Sequence, residues 1–93
     1  MTDILESRIG ACVSIRRRDL NLTQRALAEP CGVSFQQIQK YERGQNRVSA
    51  AMLWHLATAL AVPVDYFFQD FPAPAKAAAA SPKPGDRPGP GGA

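Results

Sequence analysis

Bulky apolar residues return along this chain at helical spacing as far as Phe68, after which only Phe71 follows. From Ile4 to Arg18, Leu5, Ile9, Cys12, Val13 and Ile15 recur mostly at intervals that share one helix face, which predicts a first helix. Asp3 is placed to cap it, with Glu6 as the capping-box partner. Arg16, Arg17 and Arg18 put cations in the last turn, where the helix dipole favours them, and Asp19-Leu20-Asn21 then supplies turn-forming residues. Thr23 is a good cap for a short second helix, Gln24 to Glu29, with Leu27 and Ala28 facing inward and Pro30 expected to end it. Cys31-Gly32-Val33 reads as a sharp turn, because glycine takes the left-handed conformation at low cost.

Ser34 caps a predicted third helix from Phe35 to Glu42. Its buried side is expected to hold Ile38 and Tyr41, with Phe35, Gln36, Gln39 and Lys40 nearer the other side. Arg43-Gly44 stops it. After the polar loop Gln45-Asn46-Arg47, Ser49 caps a fourth helix whose Leu53, Leu56, Ala57 and Leu60 form a core stripe. Trp54 and His55 fall beside that stripe, which predicts a partly buried indole, a solvent-facing imidazole and no chemistry for either. Pro63 opens a brief fifth helix whose Val64, Tyr66, Phe67 and Phe68 close the bundle. The pattern predicts one all-α domain over residues 1–70. Residues 71–93 are nearly all Pro, Ala and Gly with a few charges, a composition that lacks the apolar bulk to fold and reads as a disordered tail.

Charge changes the picture little. The formal net charge is +3, but residues 1–70 carry eight Lys/Arg against seven Asp/Glu, so any basic face must come from placement and not from bulk. Cys12 and Cys31 stand in no metal-ligand spacing, and with the single His55 they offer neither a metal set nor a disulfide framework. No nucleophile stands with a base, and no glycine loop is built for phosphate, so neither an enzyme nor a cofactor is expected. The opening Met1-Thr2-Asp3-Ile4-Leu5-Glu6 lacks the basic start and apolar run of an export signal, and no stretch reaches the length of a membrane span. A cytoplasmic protein at the nucleoid is the expectation.

Two short helices joined by a glycine turn, the second opening with Ser34 and rich in amides, suit a reader of the DNA major groove. The run Leu22-Thr23-Gln24, Leu27-Ala28-Glu29, Gly32-Val33-Ser34, Ile38, Tyr41-Glu42-Arg43-Gly44 and Leu60-Ala61-Val62 resembles the signature of the Cro/C1 (XRE) family of phage repressors and bacterial regulators. The resemblance covers about Ile9 to Phe68. It implies a five-helix, lambda-repressor-like domain that binds double-stranded DNA. It further implies that Gln24 grips a phosphate and steadies the edge of the reading helix, and that Ser34, Phe35, Gln36 and Lys40 face bases or the adjoining backbone. Chemistry agrees in part: glutamine pairs with adenine, lysine reaches guanine or phosphate, and phenylalanine touches a thymine methyl. Phe35 departs from many relatives, which carry a polar residue there. Arg43 and Arg47 are placed as phosphate clamps. Arg17 and Glu42 match positions that form a partly buried ion pair in relatives. For Arg16 and Arg18 a solubilising, dipole-matched end is the expectation.

The function expected is therefore a sequence-specific transcriptional regulator, a repressor acting as a homodimer with no small-molecule effector. The aromatic cluster Tyr66, Phe67 and Phe68 reads first as core closure and second as a dimer surface. The alternative is a protein-interaction module, such as an antitoxin-like partner, that uses the same fold.

Overall fold

The computed structural model describes residues 4–69, so the expected Asp3 cap and the tail over 71–93 lie outside the described residues. Five helical elements follow in the predicted order: α1 (Ile4–Asp19), α2 (Gln24–Cys31), α3 (Phe35–Glu42), α4 (Ala50–Leu60) and a terminal turn, Val64–Phe68. Three of the helices begin at a hydroxyl that accepts from the backbone N–H three residues on. Thr23 Oγ1 takes Ala26 at 3.0 Å, Ser34 Oγ takes Gln37 at 3.2 Å, and Ser49 Oγ takes Met52 at 3.0 Å. Each bond supplies an acceptor to a first-turn N–H that has no carbonyl of its own helix to reach, a contribution of about 1 kcal/mol per cap.

The folded chain corrects several expectations. The fifth element is a 3-10 helix and not an α-helix, with Pro63 as its cap residue. Pro30 lies inside α2, which continues through Cys31. The carbonyl deprived of its donor there belongs to Ala26, and both Pro30 and Ala26 are exposed, so water meets the orphaned acceptor. Glu6 has a partner the local pattern does not show: its Oε1 accepts from Val48 N–H at 3.2 Å, which pins the loop entering α4 to the start of α1, while its expected capping-box partner Asp3 lies outside the described residues. Arg16 is not a solubilising end, since its Nε donates to Leu60 O at 2.9 Å and so caps the C-terminus of α4. Trp54 is 63% exposed, far more than a partly buried indole.

The core draws on every element: Ile9, Cys12 and Val13 from α1, Leu27, Ala28 and Cys31 from α2, Ile38 and Tyr41 from α3, Leu56, Ala57 and Leu60 from α4, and Phe67 from the terminal turn. Leu27, Ile38, Leu56, Leu60 and Phe67 are each sealed from solvent to within 1%. Burial on that scale stabilises by roughly 1.5–3 kcal/mol per large apolar side chain. Leu5 and Ile15, counted into the apolar pattern of α1, stay outside at 37% and 56% exposure. Burial also pushes the Cys31 thiol above its ordinary value, which keeps it protonated and unreactive. Among the described residues no helix is long and apolar enough to cross a membrane.

Candidate nucleic-acid interface

The turn between α2 and α3 sets where α3 stands. Gly32 adopts φ 71°, its N–H donates to Glu29 O at 3.1 Å, and Val33 N–H reaches back to Ala28 O at 3.2 Å. These bonds consume the last carbonyls of α2 and reverse the chain within two residues. Val33 packs partly buried against the core, and Ser34 starts α3 at once. The turn is therefore fixed by both hydrogen bonds and packing.

α3 is divided lengthwise. Ile38 and Tyr41 are buried, whereas Ser34, Gln36, Lys40 and Arg43 are exposed, and the last three share one stripe at i, i+4 and i+7. Phe35 is half-buried and packs against the core. Behind α3 lies α1, drawn unusually close: a methyl group added at Gly10 would fall 2.2 Å from Tyr41 O and 2.8 Å from Glu42 O. Only glycine lets the two backbones approach in this way.

Glu42, at the last position of α3, ties three helices together. Arg17 of α1 donates to it twice, Nε to Oε2 at 2.6 Å and Nη2 to Oε1 at 3.1 Å, while Arg17 Nη1 reaches Leu22 O at 2.8 Å. Gln24 of α2 adds Nε2 to Oε1 at 3.1 Å. The side chains of Arg17 and Glu42 are 11% and 7% exposed, so the pair is shielded and forked, the arrangement in which ion pairs hold geometry well. Gln24 thus steadies the end of α3 by a direct bond, and an amide nitrogen has a second N–H for another acceptor. Beyond α3, Gly44 takes φ 70°, and Gln45 N–H closes onto Lys40 O at 2.9 Å. The Arg47 side chain is 89% exposed and stands 3.9 Å from Glu6, a contact too open to hold it in place.

Most residues singled out from the sequence therefore gather along α3 and its two flanking loops. One was missed. Arg25, on α2, lies with its guanidinium carbon 4.3 Å from the centre of the Phe35 ring. The two are ten positions apart across a turn, and no local spacing marks them as partners. Among the described residues no group of three or more His, Cys, Asp or Glu is placed to hold a metal ion.

The family model HTH_3, described as Helix-turn-helix, matches residues 14–67. The chain belongs to the Cro/C1-type helix-turn-helix family. Over 66 residues it is 58% identical to a protein of Rhodospirillum rubrum named as an uncharacterized transcriptional regulator in the ATPase CF(0) region, covering 71% of this chain and 61% of that relative. Among solved structures it is similar to the restriction-modification controller protein C.AhdI of Aeromonas hydrophila, with a TM-score of 0.65 at 30% identity over 68% of this chain and 96% of the other. It is also similar to the P22 c2 repressor in complex with a synthetic operator, with a TM-score of 0.61 at 32% identity over 63% of this chain and 89% of the other. The described domain is accordingly a lambda-repressor-like helix-turn-helix unit, and the chain spans only about half to three fifths of the length of the curated relatives it matches.

Proposed function

We propose that this helix-turn-helix protein is a sequence-specific DNA-binding regulator that lays α3 in the major groove and represses by occupying its operator. One observation carries the reading: α3 buries Ile38 and Tyr41, is clamped at its end by the Arg17–Glu42–Gln24 cluster, and leaves Gln36, Lys40 and Arg43 exposed in one stripe. A rigid helix with amides and cations on its free face is what base readout needs. Gln36 and Lys40 take the base-facing role with Ser34 and Phe35, while Gln24, Arg43 and Arg47 bind phosphates and govern affinity more than sequence choice. Repression is the proposed sign because the operator-bound structural neighbour is a repressor. A two-fold dimer at the nucleoid, reading two half-sites, is the assembly this implies. The domain over residues 1–70 would carry all of this.

Selection of bound duplexes from a random pool, at low and moderate salt, tests the reading with the wild type and Gln36→Ala. The expected result is a two-fold motif that blurs at a few bases in the variant. Recovery of no motif, or only salt-labile binding indifferent to Gln36, would overturn it in favour of a protein-interaction module.

A further inference from the structure

The geometry points to Arg25, which stands on α2 and not on the reading helix, as a base-specificity residue acting as one unit with Phe35. Together they recognise a guanine with a thymine beside it on the major-groove edge. The inference rests on the reading of α3 as the helix that enters the groove.

Phe35 is the first residue of α3, and its ring packs partly buried against the core, so it is a fixed platform at the end of the helix that leads into the groove. Arg25 lies over that platform at 4.3 Å. A guanidinium resting over a ring face still has N–H donors turned away from the ring, and the contact removes part of the freedom a long side chain would otherwise lose on binding. Glu29, one turn along α2, lines the same groove, yet among the described residues it forms no ion pair with Arg25 that would occupy that edge. The groove is open, about 440 Å³, and runs from Arg25 and Glu29 past Phe35 to Ser34 and Gln36. Arg25 and Phe35 therefore border the same space as the proposed base reader Gln36. A planar fork of donors matches guanine O6 and N7, and an apolar ring edge matches the C5-methyl of thymine. Stacked together, the two groups present both features side by side. A polar residue at position 35 would supply neither the platform nor the apolar edge.

The test uses the full chain in the same duplex selection, followed by affinity measurements on single-base variants of the recovered site. The wild type is expected to prefer a thymine–guanine step in each half-site. Arg25→Ala should lose discrimination at that guanine by about 10- to 100-fold while leaving the positions read by Gln36 intact. Arg25→Lys should not restore it, because an ammonium has no fork. Phe35→Leu, which keeps apolar packing without a π face, should lose the guanine preference as well, and the double variant should be no worse than the poorer single one. Circular dichroism melting of each variant separates loss of reading from loss of fold. Two results would overturn the inference while leaving the DNA-binding reading in place. One is a uniform loss of affinity on Arg25→Ala with the salt slope reduced by about one, which marks a phosphate contact. The other is an unchanged motif and affinity, which makes Arg25 a cover for the ring. A wild type that yields no motif, with Gln36→Ala equally silent, would take down both readings together.

Discussion

Replacing Gly10 with alanine should unsettle α3 from behind. An ideal Cβ there lies 2.2 Å from Tyr41 O, 2.8 Å from Glu42 O and 3.0 Å from Glu42 C, all backbone atoms of α3. A carbon meets a carbonyl oxygen comfortably at about 3.3 Å, so the helices must part by roughly 1 Å. No flexible side chain stands in the way to absorb the shift. Overpacking of this kind costs about 1–3 kcal/mol and occasionally more, while alanine returns about 1 kcal/mol of helix propensity. The same movement loosens the 2.6 Å contact between Arg17 and Glu42, which places the net loss at the upper end, about 2 kcal/mol. For a domain of this size that lowers Tm by roughly 8–16 °C. Urea unfolding followed by far-ultraviolet circular dichroism is the assay of choice, because Trp54 is already 63% exposed and its emission would report unfolding poorly. Gly32→Ala serves as a comparison: it meets no atom within 4 Å, so its cost is the left-handed backbone alone, about 1–2 kcal/mol. A Gly10→Ala variant as stable as the wild type would mean that α1 and α3 separate freely and that their close approach carries no such cost.

Three other expectations concern two side-chain contacts and one backbone conformation. Arg17→Ala and Glu42→Ala should each destabilise strongly, and a double-mutant cycle on unfolding free energy should return a coupling of about 1–3 kcal/mol; additive effects would deny the pair its structural role. Ala61 closes α4 at φ 57°, so Ala61→Gly should stabilise by about 0.5–1 kcal/mol, and a lower denaturation midpoint would contradict the assigned backbone conformation. Arg16→Ala should cost about 1 kcal/mol through the lost bond to Leu60 O, whereas Arg18→Ala, on the exposed side of the same turn, should stay within about 0.5 kcal/mol; equal effects would place Arg16 among ordinary surface cations.

The order and ends of the helices were legible because local chemistry decides them. Thr23, Ser34 and Ser49 cap as their residue types predict, Gly32 and Gly44 take positive φ, and Ile38, Tyr41, Leu56 and Leu60 fill the inner stripes. Pro30 misled because a general rule about helix interiors depends on whether the forfeited carbonyl meets water, and exposure is a property of the folded chain. Ala61 gave no warning of its left-handed turn, since nothing in its side chain favours it. Contacts between distant residues were the least visible. Glu6 meets Val48 across 42 positions and Arg16 meets Leu60 across 44, and no spacing rule encodes either. The glycine at position 10 looked like an ordinary small residue until α3 was seen pressed against it. At the candidate interface, the outward face of α3 followed from helical periodicity and the Arg17–Glu42 pair from family resemblance, while the stacking of Arg25 on Phe35 depends on how two helices meet.

The lengthwise division of α3 bears on how such a protein changes over evolutionary time. Ile38, Tyr41 and Glu42 hold the helix in the fold, and the exposed Gln36 and Lys40 take no part in the core or in its clamp. Exchanging those two therefore alters what the surface offers at little thermodynamic cost, because surface substitutions away from caps and buried contacts usually stay within about 0.5 kcal/mol. Phe35 and Arg25 lack that independence: one packs inward and the other rests on it, so a change in either alters the setting of its neighbour. Lineages of this domain would be expected to drift readily at positions 36 and 40 and to alter 25 and 35 in concert, changing the exposed face of α3 without rebuilding the fold.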